Sequence, residues 1–237
     1  MFAYLCGSAT VRVRWPGDAS EVVTPRRTSL DAVKTSALLS LAAASVLLLA
    51  GCASGATSDS TDAAAPDPSL AENRSWSGEL TLNGSALGIE LDGAAAPQAV
   101  ASFVQLAEQG YFDATSCHRL TTAGIYVLQC GDPTGTGTGG PGYSYGPIEN
   151  APADDVYAAG VLAMARRGGD GASMGSQFFI VYQDSEIPSD SAGGYTVLGT
   201  VTSGLDVVTA IAADGVEGGA SDGTPADPAV IDSVSVE

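Results

Sequence analysis
Short apolar runs recur along residues 75–237, rich in β-branched and aromatic side chains and bounded by Gly, Pro and Asp. Such runs predict strands, here over residues 76–82, 86–91, 116–120, 126–130, 160–165, 177–182, 196–202 and 230–236. Two stretches switch to helical spacing. The first opens at Pro97, suited to position N1, carries Val100, Phe103, Val104 and Ala107 on one stripe, and stops at Gly110. The second takes Ser203 as N-cap and sets Leu205, Val208 and Ile211 on its apolar side. Eight strands without alternating helices argue against a parallel doubly wound sheet. They predict a mainly β domain, a closed eight-stranded antiparallel β-barrel capped by two α-helices. No internal repeat is visible. Residues 75–237 are enough to bury about 70% of the surface that the unfolded chain exposes.

The front of the chain follows a different pattern. Residues 37–50 carry no charge, follow Arg26, Arg27 and Lys34, and lead into Gly51 and Cys52. A spanning helix needs about 20 apolar residues, so this shorter run reads as an export signal. Leu49-Ala50-Gly51-Cys52 resembles the lipobox of bacterial lipoproteins, which implies cleavage before Cys52 and lipidation of its thiol. Residues 1–32 are neither basic nor apolar enough for a signal, and the expectation is a mis-assigned start with translation beginning at Val33. Cys6 then lies in a segment absent from the mature protein. Residues 53–73 hold no aromatic residue and are biased to Ser, Thr, Ala and Asp, a composition too polar to bury itself. The expected organisation is a signal region over 1–51, lipidated Cys52 with a tether over 52–74, and one domain over 75–237. As a coil the tether spans roughly 25 Å. The protein is expected outside the cell, anchored to the outer face of a bacterial membrane, as a monomer.

Charge narrows the partners. Five of the nine basic and three of the 27 acidic residues lie in 1–51, which leaves 24 carboxylates against four arginines from Cys52 onward. A surface this acidic repels phosphate backbones, which excludes nucleic acid, and repels an anionic bilayer, which leaves the lipid as the only membrane contact. Four cysteines without a CxxC pair make neither a disulfide scaffold nor a zinc framework. The single histidine, His118, follows Cys117 on a strand, so the two point to opposite faces and make no nucleophile and base pair. No Gly-x-Ser-x-Gly and no EF-hand pattern occurs, and neither a metal nor a cofactor is expected. The glycine-rich stretch 131–142 lacks the Gly-Lys-Ser/Thr of a phosphate loop and reads as an irregular connection; 168–175 fails the same test.

A series of motifs remains: Cys117-His118-Arg119-Leu120, Tyr126-Val127-Leu128-Gln129-Cys130-Gly131-Asp132, Leu162-Ala163-Met164-Ala165, Gly175-Ser176-Gln177-Phe178-Phe179-Ile180 and Tyr195-Thr196-Val197-Leu198-Gly199. In this order and spacing it resembles the cyclophilin family of peptidyl-prolyl cis/trans isomerases, over about residues 76–236. The resemblance implies an eight-stranded barrel with two capping helices and proline-containing polypeptides as substrates. It places the active-site arginine at Arg119, with Gln129, which faces His118 across a hairpin, orienting either Arg119 or the substrate backbone. Tyr126, Val127 and Phe179 correspond to the proline pocket, Gln177 and Ala165 to the adjacent groove, and His118 to its rim; Phe178 is then the interior residue. Tyr195 takes the place of a groove histidine, Ile187 that of a tryptophan, and Ala165-Arg166-Arg167 that of an Ala-Asn-Ala segment. If His118 pairs with Gln129, Cys117 lies opposite Cys130; a disulfide locking the hairpin and two buried thiols are both open. So is a non-catalytic module that grips proline peptides on the same fold.

Overall fold
The computed structural model describes residues 63–237. The expected export signal, Cys52 and the tether before residue 63 lie outside the described residues. Within them the chain forms β1 (Ser75–Leu82), β2 (Ser85–Asp92), α1 (Pro97–Glu108), β3 (Thr115–Ser116), β4 (Arg119–Thr121), β5 (Val127–Cys130) and β6 (Val156–Tyr157). There follow β7 (Val161–Met164), β8 (Phe178–Val181), β9 (Ser185–Glu186), β10 (Val197–Ser203), α2 (Leu205–Asp214), β11 (Asp222–Gly223) and β12 (Val230–Val236). No helix among the described residues is long and apolar enough to cross a membrane.

Local chemistry explains several of these boundaries. β1 and β2 turn through Asn83-Gly84, whose φ values of 48° and 73° suit a tight two-residue hairpin loop. α1 starts at Pro97 after Ala94-Ala95-Ala96, which offers no capping side chain. The Glu149 carboxylate supplies the cap from far along the chain, accepting the N–H groups of Gln98 (2.9 Å) and Ala99 (3.0 Å). α2 begins one residue later than expected, with Gly204 at φ 79° in the N-cap position rather than Ser203. The stretch expected as tether up to residue 74 also changes character near its end. Residues Pro68–Ala71 form a 3-10 turn capped by Asp67, Ala71 is buried, and its carbonyl accepts from the Trp76 indole at 2.9 Å.

Ten strands form one curled antiparallel sheet in the order β11-β4-β5-β8-β7-β10-β2-β1-β12-β3, and β6 pairs separately with β9. The mainly β, two-helix architecture agrees with the expected class, but the strand count differs and no ladder joins β11 to β3. Residues 116–120, expected as one strand, are divided between β3 and β4, and the chain switches partners midway. Cys117 N–H donates to the Ala229 carbonyl beside β12 (2.8 Å), and His118 N–H to the Gln129 carbonyl of β5 (3.0 Å). One short segment therefore ties the two sides of the sheet together.

The core fills the concave face. Phe103 and Phe112 stack at 4.9 Å, and both meet the edge of Phe178, at 5.4 and 5.7 Å. Strands β7 and β8 are apolar on both faces, and β5 is so except for Gln129. Leu128, Leu162, Met164, Phe178 and Ile180 enter this core, while Val127, Ala163, Phe179 and Val181 form a second cluster with Tyr157 and Ile187 on the other side. Alternation along a strand dictates that split. The second cluster is where the candidate site forms.

Candidate active site
The second cluster does not close over. Ile125, Val127, Phe179, Ile187 and Tyr195 wall a cavity of about 100 Å³, completed by Arg119, Gln129, Ala165 and Arg166. Phe179 and Tyr195 meet edge to face at 5.5 Å, and Tyr157 stands behind both, at 6.4 and 6.3 Å. The result is a slot with aliphatic and aromatic walls, bordered by the guanidiniums of Arg119 and Arg166.

A polar chain runs along the slot. Arg119 donates Nε and Nη2 to the two Asp222 carboxylate oxygens, both at 2.8 Å, and Nη1 to Gln129 Oε1 at 3.3 Å. Gln129 Nε2 donates to Gln177 Oε1 (2.9 Å), and Gln177 Nε2 to the carbonyls of Gly137 (3.0 Å) and Gly139 (2.9 Å). Arginine can only donate, so each amide must turn its oxygen toward Arg119 and its nitrogen away. The chain thus has one direction, set by the charge at its end. The Asp222 carboxylate raises the Arg119 pKa further and its own falls in return, which keeps both ionised.

Gln177 marks the passage to a larger cavity of about 410 Å³, lined also by Gln129, Ala165, Arg167, Tyr143 and the Gly137–Gly140 backbone. The glycine-rich loop read as a bare connection is a built wall. Buried Asp132 accepts from Thr134 N–H (2.7 Å), Thr134 Oγ1 (2.7 Å) and Gly139 N–H (3.0 Å). Burial alone would raise its pKa, but these hydrogen bonds outweigh it and bring the carboxyl down to about 2. Gly139 must be glycine, because a Cβ there would run into the Asp132 carboxylate.

The remaining sequence candidates divide. Val127 and Phe179 line the small cavity, Gln177 the large one, and Ala165 both, with Tyr195 on the small cavity's wall. Tyr126, expected in the proline pocket, lines neither; its ring faces Tyr182 at 5.9 Å, and Ile125 takes its place. Regular β5 pairing begins only at Val127, so alternation did not reach Tyr126. His118, expected on the rim, lies beneath the glycine-rich loop near Gly137. Both ring nitrogens are buried without a hydrogen-bond partner, and burial lowers its pKa, holding the ring neutral. The register also differs from expectation: Arg119, not His118, stands opposite Gln129. The partner switch at Cys117-His118 absorbs the offset. Cys117 and Cys130 are joined in a buried disulfide, their Cα atoms 3.9 Å apart.

Two residues carry more than their sequence context suggested. Arg166, with 1% of its side chain exposed, pairs with Asp190 at 2.9 Å, donates to the carbonyls of Gly193 and Gly194, and lies 4.6 Å over the Tyr195 ring. It clamps together the two loops that carry Ala165 and Tyr195. Asp222 reaches Arg119 only because β11 pairs with β4, and no local pattern announces a two-residue strand. Among the described residues no group of His, Cys, Asp and Glu side chains could hold a metal ion.

Comparison with known proteins yields one family. The family described as cyclophilin type peptidyl-prolyl cis-trans isomerase matches residues 79–236. The chain is 44% identical over 170 residues to peptidyl-prolyl cis-trans isomerase B of Mycobacterium tuberculosis, covering 67% of this chain and 53% of that relative. It is 42% identical over 128 residues to the isomerase B of Bacillus subtilis, covering 54% and 83%. The chain thus spans about half the length of its mycobacterial relative. A cyclophilin type isomerase from Cryptosporidium parvum shares the fold, with TM-score 0.58, 28% identity, and 69% and 98% of the two chains covered. A second structure of that protein was determined in the presence of the dipeptide Ala-Pro.

Proposed function
Because the chain belongs to the cyclophilin-type peptidyl-prolyl cis-trans isomerase family, we propose that it accelerates X-Pro isomerisation in polypeptides, with Arg119 stabilising the twisted amide. The barrier of about 18–20 kcal/mol is amide resonance, and no bond to hydrogen is made or broken in crossing it. A hydrogen-bond donor held in place is therefore enough. The slot walled by Ile125, Val127, Phe179 and Ile187 takes the pyrrolidine ring, which fixes the prolyl side of the bond. As the bond twists, the prolyl nitrogen becomes pyramidal and its lone pair, no longer shared with the carbonyl, localises on it. A guanidinium N–H directed at that lone pair binds the twisted state more strongly than either planar one, which lowers the barrier. Gln129 holds the Nη1 side of the guanidinium toward the slot, and the half-buried polar chain behind it limits the alternatives. Extended residues on either side of proline run past Ala165 and Gln177 into the larger cavity.

The observation that carries this reading is the Arg119 guanidinium lining the same small cavity as Ile125, Val127, Phe179 and Ile187, while the other guanidinium there, Arg166, is committed to Asp190 and two loop carbonyls. Replacing Arg119 by Ala removes the donor and leaves the slot. The expected result in a protease-coupled assay is a loss of roughly 10²-fold or more in kcat/KM, the size seen when one preorganised donor is deleted. An Arg119→Ala protein that is folded and retains its turnover would contradict the mechanism.

The same proposal extends to place. The basic, apolar, Leu-Ala-Gly-Cys series supports export and a lipid on Cys52, with envelope or newly exported proteins as clients. Mass spectrometry of the mature protein should then find Cys52 as a diacylated N-terminus. A mature chain that begins elsewhere, or an unmodified Cys52, would refute the anchor.

A further inference from the structure
Arg119 stands on a three-residue strand with 38% of its side chain exposed, a setting in which a long side chain normally samples several rotamers. Its contact with Gln129 is one hydrogen bond of 3.3 Å, too weak alone to fix the plane of a guanidinium. Asp222 makes two bonds of 2.8 Å, to Nε and Nη2, and such fork-to-fork pairing fixes both the plane and its rotation. With those two nitrogens committed, Nη1 is left on the Gln129 side, where both residues line the small cavity.

The excursion that delivers Asp222 is itself held in shape. Between α2 and β12 the chain folds back on itself, with Glu217 N–H donating to the Thr224 carbonyl and Ala226 N–H to the Gly215 carbonyl, both at 2.9 Å. It then docks on the edge of β4: Thr122 N–H donates to the Ser221 carbonyl at 2.9 Å, and Asp222 pairs in register with Thr121. The carboxylate is 53% exposed, and an exposed pair contributes only about 0–1 kcal/mol to stability. A pair worth so little to folding, on an excursion so well fixed, points to orientation rather than support.

We infer that Asp222 is a positioning residue for the isomerisation: it holds the Arg119 guanidinium so that Nη1 faces the substrate, a role that rests on the function proposed above. Asp222 does not touch substrate. It acts through Arg119, and its loss leaves the apolar slot and hence substrate binding in place.

The test compares Asp222→Asn, Asp222→Glu, Arg119→Ala and the Asp222→Asn/Arg119→Ala double variant in the full chain, by X-Pro isomerisation and by the arginine Nε–H signals in 15N spectra. D222N should lower kcat/KM by about tenfold, short of the ~10²-fold that gross misplacement of a catalytic group can cost. The loss should fall on kcat and leave KM in place. D222E should recover part of it, and D222N should change nothing further in the R119A background. The Arg119 Nε–H signal, distinct in the wild type, should move in D222N while that of Arg166 stays. A D222N enzyme within about twofold of the wild type, or faster, would overturn the inference while R119A still upholds the function. An inactive wild type, or an R119A enzyme with full turnover, would overturn both.

Discussion
Phe178 and Phe179 are neighbours in the chain and opposites in the molecule. Phe178 meets Phe103 and Phe112 inside the core, whereas Phe179 forms the floor of the slot with Tyr157 and Tyr195. Truncating the first leaves a cavity in close packing. Phe178→Ala is expected to cost about 3–5 kcal/mol of stability. Phe179→Ala should cost less, since its site is already open on one side, and should instead raise KM for proline peptides. Denaturant midpoints and steady-state kinetics on the two variants separate the roles; equal losses of stability with equal KM would show that the two faces are not distinct.

Asp132 gives the fold a dependence on pH. Its carboxyl titrates at about 2 in the folded protein, below the ordinary value of about 3.9. A depressed carboxyl pKa contributes stability that is complete above the unfolded value and is lost as pH falls toward the folded one. Stability carried by the glycine-rich loop should therefore decline between about pH 4 and pH 2. Asp132→Asn should be weaker at neutral pH, because one acceptor oxygen becomes a donor facing the Thr134 and Gly139 N–H groups, and should show a flatter decline. Unfolding by urea at several pH values measures this, and parallel pH profiles for the two proteins would contradict it.

At the scale of elements, the long strands and both helices were readable because periodicity needs several residues to show itself. β1, β2, β10 and β12 run for seven or eight residues, and their predicted limits lie within one residue of the observed ones at each end. β6, β9 and β11 are two residues each, too short to have a period. Their positions follow from the partners that reach them. The break at Cys117-His118 has the same origin, since a strand that changes partner midway looks in sequence like one that does not. That break moved the hairpin register by one and brought Arg119, rather than His118, opposite Gln129. The slot residues Arg119, Val127, Gln129 and Phe179 were legible through the resemblance to a known family, whose motifs fall here on β4, β5 and β8. Ile125, Asp222 and the structural work of Arg166 were not, because each depends on a loop meeting a strand far away in sequence.

For the whole molecule, the acidic charge and the placement of the few arginines belong together. Three of the four arginines beyond Cys52, Arg119, Arg166 and Arg167, line the two cavities, each with an aspartate partner: Asp222, Asp190 and Asp170. The fourth, Arg74, lies over Trp76. Cationic side chains are thus spent where a fixed donor or a clamped loop is needed, and the rest of the surface is left to carboxylates that keep polyanions away. The fold concentrates its polar order on one groove, backed by a core on the other face of the same three strands.

Exchange spectroscopy on a labelled Ala-Pro peptide separates turnover of the X-Pro bond from binding alone. With the wild-type protein at a small fraction of the peptide concentration, cross peaks between cis and trans signals should appear on a sub-second scale, far faster than the uncatalysed process of tens of seconds or more. They should vanish with Arg119→Ala while peptide shifts on binding remain. Peptide shifts without cis-trans exchange in the wild type would contradict the account, and would leave the groove as a site that binds proline segments without turning them.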